Sequence, residues 1–432
     1  MTAPPTGRGI WCGEWEMSGE RGVEAVRPRG DEARARVLVR LHGEPLGYLT
    51  VPMEGTAPRA GDLARAARRQ FADRIAGHLA AEGLPADGGG AVPPALPSCP
   101  NHVVADDLVT VVVCTRNRPA ALAACLDRLR QLTYPHLEVV VVDNAPSDDG
   151  TRRVVSAAAD GRVRYVVEPR PGLSCARNRG LAEARGRWLA YTDDDVAVDP
   201  GWVEGLVRGF RRRGDVGCVT GLVATAGISG PAEEYFDARA ASWSTRCEPL
   251  VFDRRGQVAT GPVAADPLHP YSPGIFGTGA NVAFDRAVLR QLGGFDEALG
   301  AGTRTRGGED LDVFVRMLRS GRTLVYEPAA LVWHHHRADH AALLTQMFGY
   351  GTGLSAFLTK CLLQPDTRRE LLGRIPLGLR RMAGIRAQTR ERLPDAAAPR
   401  GALLRELLGV AAGPALYLRS RRDLHARGRG PR

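Results

Sequence analysis

The sequence has almost no lysine: Lys360 stands alone among 58 basic residues, so the net charge of +10 comes from arginine. It also lacks any uninterrupted apolar run of about 18 residues, which a membrane-spanning helix needs. Its first residues contain no apolar segment of the signal-peptide type. These absences predict a cytoplasmic protein. The charge leaves two readings open, a solvated basic surface or attraction to anions such as phosphates, anionic lipids or nucleic acid.

Cysteine patterns and phosphate-binding loops are also missing. The eight cysteines are scattered, and no two have the spacing of a metal site or a redox pair. Cys114 and Cys125 lie within apolar patterns and are expected in the core, which suits a reducing compartment. No GxGxxG motif follows a strand, which disfavours a dehydrogenase. No glycine-rich phosphate loop follows the first long apolar run, which disfavours a nucleotidyltransferase.

The chain divides into four segments of different pattern. Residues 1–84 combine a strand pair, turning at 43–45, with one stretch of helical apolar spacing, and predict a small α+β module without recognisable chemistry. Residues 85–107 form a linker rich in glycine and proline. Strands and helices alternate over 108–340, and 341–432 is a helical extension.

The alternating segment predicts an α/β fold with a Rossmann-like, mostly parallel sheet. Apolar runs such as LVTVVVCT and LEVVVVDN are typical of strands buried on both faces. Helices between such strands imply parallel pairing with right-handed crossovers. Ligands of these sheets bind beyond the carboxyl ends of the strands. Polar residues stand at four of these ends, at 115–118, 143–144, 168–170 and 193–195.

Three consecutive aspartates end the fourth strand of this segment. Because alternate residues of a strand share a face, Asp193 and Asp195 are expected to point together and Asp194 away. Two carboxylates on one face can hold Mg²⁺ or Mn²⁺ together with substrate phosphates. The alternative is a solvated turn that leads into a helix near Asp199.

Asp143 ends the second strand of the same segment. A carboxylate at this position can accept hydrogen bonds from a nucleobase or a ribose. Nearby, Ser147 or Asp148 can cap the helix that begins near Gly150, and the two roles are compatible because they use different residues.

The stretch GGEDLDVFVRM places Glu309, Asp310 and Asp312 at the start of a helix. Acidic residues there favour the helix dipole without any catalytic role. The functional alternative is a general base that removes a proton from an attacking hydroxyl.

Three adjacent histidines follow a later apolar strand. In an extended segment His334 and His336 share a face and His335 does not. A structural role and a metal-ligand role remain open, and a zinc site built from these histidines alone is the less favoured reading.

Taken together, these motifs resemble the family 2 inverting glycosyltransferases of GT-A fold. The matching stretches are VVVCTRNRP, VVVDNAPSDDGT, PGLSCARNRGL, AYTDDDV, FGTGANVAF, GGFDEAL and GEDLDVFVRM. The resemblance covers about residues 108–340 and implies the GT-A nucleotide-diphospho-sugar transferase fold.

The resemblance also implies a role for each matching residue. Asp310 would be the catalytic base, with Glu309 near the donor sugar or the acceptor and Asp312 as a lower-ranked base. Asp195 would ligate Mn²⁺ or Mg²⁺, with His334 or His336 as a further ligand. The nucleotide sugar would be bound by Thr115, Arg118, Asp143, Arg177, Asn178, Asp193 and Asp194.

The implied reaction is metal-dependent, inverting transfer of a sugar from a nucleotide-diphosphate donor to a hydroxyl. The acceptor would be a sugar, a lipid-linked molecule or a small molecule, in the synthesis of cell-surface polysaccharide, glycolipid or secondary-metabolite glycans. No specific nucleic acid partner is expected. Apolar faces flanked by arginine at 342–363 and 402–418 suit either packing on the catalytic domain or peripheral binding at the inner face of the plasma membrane. The alternatives are a nucleotidyltransferase and an inactive transferase fold that only binds sugars or nucleic acid.

Overall fold

The structure is a computed structural model. It describes residues 9–19, 32–53, 58–85, 92–103, 106–258, 266–272, 274–336, 339–393 and 399–428.

The N-terminal module contains a three-stranded sheet in the order β1-β2-β3. Its strands are β1 (Gly9–Glu16), β2 (Glu32–Leu41) and β3 (Glu44–Pro52). The expected pair is β2 and β3, and β1 adds a parallel third strand beside β2 that its short sequence did not reveal. The hairpin turns at His42 and Gly43, one residue earlier than expected, because both adopt the positive φ that a tight hairpin requires.

Two helices pack on one face of this sheet. They are α1 (Ala60–Gln70) and α2 (Ala72–Glu82), so the single helical stretch expected here is divided at Phe71. Phe71 lies in the core of the module with Trp11, Val37 and Leu63. Val92 packs against the same core, and the described part of the linker therefore contributes to the module.

The central sheet, the second and larger sheet of the structure, has ten strands. Its elements are β4 (Val109–Thr115), α3 (Pro119–Leu129), β5 (Leu137–Asn144), α4 (Gly150–Ala158), β6 (Val163–Glu168), α5 (Leu173–Glu183), β7 (Trp188–Asp193), β8 (Val196–Val198), α6 (Trp202–Arg211), β9 (Val216–Thr225), α7 (Pro231–Ser244), β10 (Leu250–Asp253), β11 (Gly256–Val258), β12 (Asn281–Asp285), α8 (Arg286–Gln291), α9 (Glu309–Arg319) and β13 (Thr323–His334). The strand order is β11-β10-β13-β9-β12-β7-β4-β5-β6, and β8 pairs with β13.

Most strands of this sheet run in one direction, as the alternation predicted. Strands β4, β5, β6, β7, β9, β11 and β13 share that direction, and β8, β10 and β12 oppose it. Strand β12 lies antiparallel between β7 and β9, which its sequence did not indicate. Along β4, Val111 and Val113 enter one core and Val112 the other, so the sheet is buried on both faces.

Three long helices follow: α10 (His340–Leu363), α11 (Pro365–Glu391) and α12 (Ala402–Gly428). Helices α10 and α12 approach closely where Gly351 lies against the backbone of Glu406. Only glycine permits this approach, because a Cβ on residue 351 would overlap that backbone. Lys360 of α10 connects these helices to the part of the chain that carries the central sheet, through ion pairs with Asp296 at 2.9 Å and Asp312 at 2.7 Å. Within the described part of the chain, we find no helix with both the length and the apolar character to cross a bilayer.

Candidate active site

A cavity of about 810 Å³ opens between the sheet and the C-terminal helices. Of the residues singled out from the sequence, those on its wall are Arg177, Asp193, Asp195, Glu309, Asp310, His334 and His336. The wall does not include Thr115, Arg118, Asp143, Asn178 or Asp194. Two distant stretches of sequence, 193–195 and 309–310, therefore contribute acidic groups to one cavity.

The three aspartates are divided between this cavity and its support. Strand β7 ends at Asp193, and Asp194 and Asp195 form the turn before β8. Asp194 is buried and accepts hydrogen bonds from Thr115 Oγ1 at 2.7 Å and from Arg118 at 2.5 Å. Arg118 also donates to Asp195 at 3.1 Å. Thr115 and Arg118 thus hold the turn in place, and their contact with a nucleoside stays a prediction.

Arg177 is the cation at the centre of the acidic cluster. It is 2% exposed, and its guanidinium lies 3.1 Å from Glu309 Oε1 and 3.7 Å from Asp193 Oδ1. It also donates to the carbonyl of Gly279 at 2.9 Å, and Phe295 stacks near the guanidinium. One arginine on α5 therefore links the carboxylate that ends β7 with the carboxylate that begins α9.

Glu309 and Asp310 enter the cavity at the first turn of α9. The preceding Gly308 has φ of 90° and lies against the backbone of Gly353, a position that only glycine fits. Burial, and then the adjacent Asp310, raise the pKa of Glu309 to about 7, although Arg177 opposes the shift. Asp310 is partly exposed, and its Oδ2 accepts from the Gly279 N–H at 3.2 Å.

Burial also perturbs the aspartate at the end of β7. It raises the pKa of Asp193 to about 6, while Arg177 acts in the opposite direction and the neighbouring Asp195 and Asp194 add to the rise. Such shifted carboxyls concentrate at functional sites. Glu309 Oε2 is a buried oxygen with no hydrogen-bond partner among the described residues, so this wall has acceptor capacity to spare.

The histidines lie beside the aspartate turn, since His334 pairs in register with Val196, the residue after Asp195. His336 Nε2 lies 2.9 Å from Thr225 Oγ1, which in turn lies 2.6 Å from Asp237 Oδ1. Because the Thr225 hydroxyl donates its hydrogen bond to the Asp237 carboxylate, the threonine oxygen can only accept from His336, and His336 Nε2 carries the proton. The lone pair of His336 is then on Nδ1, which lies 3.3 Å from His334 Nδ1. Imidazole nitrogen and aspartate oxygen facing one cavity are donors that fit Mn²⁺ or Mg²⁺.

Asp143 and Asn178 lie outside the cavity wall. Asp143 pairs in register with Thr115 at the carboxyl end of β4, the strand that also neighbours β7. Its Oδ2 accepts from Tyr165 at 2.8 Å, its Oδ1 has no partner of good geometry, and burial raises its pKa. Asn178 instead brackets the backbone of Phe295 with both amide atoms, at 2.8 and 3.0 Å.

Two lesser candidates are engaged elsewhere. Both carboxylate oxygens of Asp312 are in ion pairs, one with Lys360 at 2.7 Å and one with Arg316 at 2.7 Å, and its side chain is almost fully buried. His335 is exposed and does not line the cavity.

Sequence reasoning missed the basic part of the wall. Its arginines are Arg239, Arg246, Arg306, Arg381 and Arg392. They come from α7, from two loops, from α11 and from the residue that follows α11. The overall excess of arginine was the only signal for them, because no stretch of sequence gathers them. Arginines and carboxylates that line one cavity can together bind an anion that carries a divalent cation.

Two family descriptions match the chain. Residues 110–263 match "Glycosyl transferase family 2", and residues 188–408, just over half of the chain, match "Glycosyl transferase family group 2". The second match extends through α10 and α11 into α12.

Curated relatives point the same way. The chain is similar to the pre-mycofactocin glycosyltransferase of Mycobacterium tuberculosis, with 30% identity over 331 residues. That match covers 74% of this chain and 60% of the relative, so the chain spans less than two thirds of it. It is also similar to the succinoglycan biosynthesis protein ExoM of Rhizobium meliloti, 29% identical over 56% of this chain and 72% of the relative.

Among solved structures, a mannosyltransferase of Pyrobaculum calidifontis, in complex with GDP-Man and Mn²⁺, aligns with a TM-score of 0.45 and 23% identity. The alignment covers 74% of this chain and 83% of that one.

Proposed function

The chain belongs to glycosyltransferase family 2, and from this premise we propose that it moves a sugar from a nucleotide-diphosphate donor to an acceptor hydroxyl with inversion. The observation that carries the proposal is the convergence of Asp193, Asp195, Glu309 and Asp310 on one cavity that arginines also line. A diphosphate leaving group needs its negative charge balanced, and a hydroxyl nucleophile needs a base. The cavity offers groups for both tasks.

Asp310 is the base in this proposal. Its carboxylate lines the cavity, and the Gly279 N–H at 3.2 Å fixes its orientation. There it can take the proton of the acceptor hydroxyl as that oxygen attacks the anomeric carbon from the face opposite the leaving diphosphate. Glu309, fixed by Arg177 at 3.1 Å, then borders the donor sugar or the acceptor.

Mn²⁺ or Mg²⁺ is the proposed cofactor, and it would be held by Asp195 with His334 or His336. Such an ion supplies charge stabilisation at the diphosphate. The Thr225 hydroxyl keeps the lone pair of His336 on Nδ1, towards His334. The hydrogen bonds of Thr115 and Arg118 to Asp194 fix the turn that carries Asp195.

The nucleoside would lie at the carboxyl ends of β4, β5 and β7. The unpartnered Oδ1 of Asp143 supports this placement, since it can accept from a base or a ribose. Thr115 and Asp193 end β4 and β7 at the same edge, Arg118 is tied to it through Asp194, and Arg177 lies 3.7 Å from Asp193. Asn178 is the least supported of the proposed nucleotide contacts, because the backbone of Phe295 occupies its amide.

The acceptor would enter from the side of the C-terminal helices. Gln346, Tyr350 and Leu354 of α10 line the cavity, as do Arg392 and Glu406. The acceptor is a sugar, a lipid-linked molecule or a small molecule. Leucines exposed on α11 and α12 support peripheral association with the inner face of the plasma membrane, which suits a lipid-linked acceptor.

The test is release of nucleoside diphosphate from UDP-, GDP- and dTDP-sugars in the presence of Mn²⁺. We expect one donor class to be turned over and Asp195→Ala to abolish turnover. Asp127→Asn, an exposed aspartate of α3 outside the cavity, is the matched control and should keep full activity. Donor binding without release would instead indicate a sugar-binding protein, and transfer of the nucleoside monophosphate with release of sugar 1-phosphate a nucleotidyltransferase.

A further inference from the structure

Four side chains of the N-terminal module converge on one point outside the catalytic cavity. His42 is in the β2–β3 turn, His78 and Glu82 are one turn apart on α2, and Cys99 is in the segment that follows. One nitrogen, oxygen or sulfur atom from each lies within 4.8 Å of the others. The sequence analysis assigned no chemistry to these residues.

The cluster is closely packed and closed to solvent. His42 Nδ1 lies 3.2 Å from His78 Nε2 and contacts Glu82 Oε1 directly. His78 Nε2 lies 2.9 Å from the same carboxylate oxygen. Cys99 Sγ lies 3.5 Å from His78 Nε2 and 4.0 Å from His42 Nδ1. The side chains of His42 and Glu82 are fully buried, and His78 is 3% exposed.

Hydrogen bonds outside the cluster fix the tautomer of each neutral imidazole. His42 Nε2 lies 2.9 Å from the carbonyl of Pro93, which only accepts, so this nitrogen carries the proton. His78 Nδ1 lies 2.7 Å from the carboxylate of Glu44, so it too is the donor. Both remaining lone pairs then face the interior of the cluster. Histidine ligands of metals are oriented by outer hydrogen bonds of this kind.

Two nitrogen lone pairs and a carboxylate oxygen facing each other at about 3 Å repel unless a positive charge lies between them. A cation drawn to this point would also have the sulfur of Cys99 within reach. Glu82 is oriented for the role, because its other oxygen accepts from the backbone N–H of Leu96 at 3.1 Å.

We propose that His42 Nδ1, His78 Nε2, Glu82 Oε1 and Cys99 Sγ bind a zinc ion. Two imidazoles, one thiolate and one carboxylate are donors that zinc accepts in tetrahedral geometry, whereas Mg²⁺ and Mn²⁺ prefer oxygen. Four protein donors leave no open position, which is the pattern of a structural site. Binding forms the zinc–sulfur bond and releases the thiol proton of Cys99 to solvent.

Such an ion would join three separate parts of the chain. It links the hairpin turn to α2 and to the segment of 92–103, where Asn101 also donates to the carbonyl of His42 at 3.0 Å. Two residues before His42, Arg40 pairs with Asp199, which follows β8 in the catalytic domain. Zinc would therefore stabilise the module at the point where it contacts the domain that carries the aspartates.

The first test is the metal content of the full chain, purified without added metal and dialysed against metal-free buffer. Elemental analysis should find about one zinc per chain. The Cys99→Ser and His78→Ala variants should lose most of it. Cys12→Ser is the matched control, because Cys12 is a buried cysteine of the same module outside the cluster, and it should keep its zinc.

The second test does not depend on whether the variants fold. Cobalt-substituted full chain should show the d–d absorption of a tetrahedral site and a thiolate-to-cobalt charge-transfer band. Chelation of the zinc should lower the melting temperature of the wild type. Absence of zinc and of cobalt absorption in the wild type would overturn the proposal and indicate that protons hold the imidazoles and Glu82 together. Zinc content unchanged in Cys99→Ser and His78→Ala would overturn it as well.

Discussion

The two histidine clusters of this protein lie in opposite surroundings. His334 and His336 line an open cavity of about 810 Å³, together with aspartates and arginines. His42 and His78 lie in a closed cluster with one carboxylate and one thiol, and their side chains are at most 3% exposed. The open site leaves room for a substrate beside a metal, and the closed cluster does not.

The difference shows how packing divides similar side chains between chemistry and stability. Around the cavity, Gly308 lets the start of α9 lie against the backbone of α10. The buried Arg177 lies between Asp193 and Glu309, and both carboxylates face the cavity. In the N-terminal module, outer hydrogen bonds turn the lone pair of each imidazole towards the cluster. Changes at the cavity should therefore reduce turnover, and changes at the closed cluster should reduce stability.

The largest effect is expected for Asp310→Asn. An amide cannot take the proton of the acceptor hydroxyl, so turnover should fall by roughly 10²–10⁴-fold, the usual contribution of general base catalysis. The rate of nucleoside diphosphate release, with saturating donor and Mn²⁺, measures this. The zinc content of the closed cluster should not change.

Asp312→Asn is the informative comparison for that variant. Asp312 is in ion pairs with Lys360 and Arg316. Its replacement should therefore lower the free energy of unfolding and leave the turnover of the folded protein nearly unchanged. If Asp312→Asn lost turnover as completely as Asp310→Asn while remaining folded, the assignment of the base would be wrong.

The second effect concerns the cation between the carboxylates. Arg177→Met leaves the buried Glu309 and the partly exposed Asp193 without their cation, and we expect the free energy of unfolding to fall by about 3 kcal/mol, the lower end of the range for a broken buried ion pair. Denaturant unfolding followed by circular dichroism measures it. Arg179→Met, on the same helix, removes an exposed pair with Glu183 and should cost less than about 1 kcal/mol. Equal losses in both variants would contradict the central role of Arg177.

The smallest effect is expected at the exposed face of α12. Leu404 and Leu408 are 60% and 47% exposed and one helical turn apart. The double variant Leu404→Glu, Leu408→Glu should weaken flotation with anionic liposomes at low salt and leave release from a soluble donor unchanged. Val258→Glu, an exposed apolar residue of β11, is the control. Wild-type protein that fails to float at low and at high salt would remove the membrane proposal.

Local pattern was enough to predict the α/β fold and the acidic part of the cavity wall. Continuous valine runs identified β4 and β5, and the aspartates at the end of β7 marked the edge of the sheet where the cavity lies. The acidic residues of the turn before β8 and of the first turn of α9 could be identified from the sequence, because each group is contiguous. The antiparallel insertion of β12 was not, since its apolar residues indicate a strand but carry no information about its neighbours.

The parts that escaped prediction depend on tertiary contact. The arginines of the cavity wall come from separate elements, and His42, His78, Glu82 and Cys99 come from a turn, a helix and a linker. The spacing of these four follows no short metal motif, and only the packing of α2 on the hairpin brings them together. The segment 85–107, which the sequence predicts to be a linker rich in glycine and proline, contributes Cys99 to the cluster.

The most direct test of the account is a thermal shift measurement with UDP-, GDP- and dTDP-sugars, each with and without Mn²⁺. The account predicts that one nucleotide class raises the melting temperature of the wild type only with Mn²⁺. At a donor concentration 100 times Kd, the free energy of unfolding should increase by about 2.7 kcal/mol. Asp195→Ala should lose this rise. A wild type that responds to none of the donors, or an Asp195→Ala variant that keeps the full Mn²⁺-dependent rise, would contradict it.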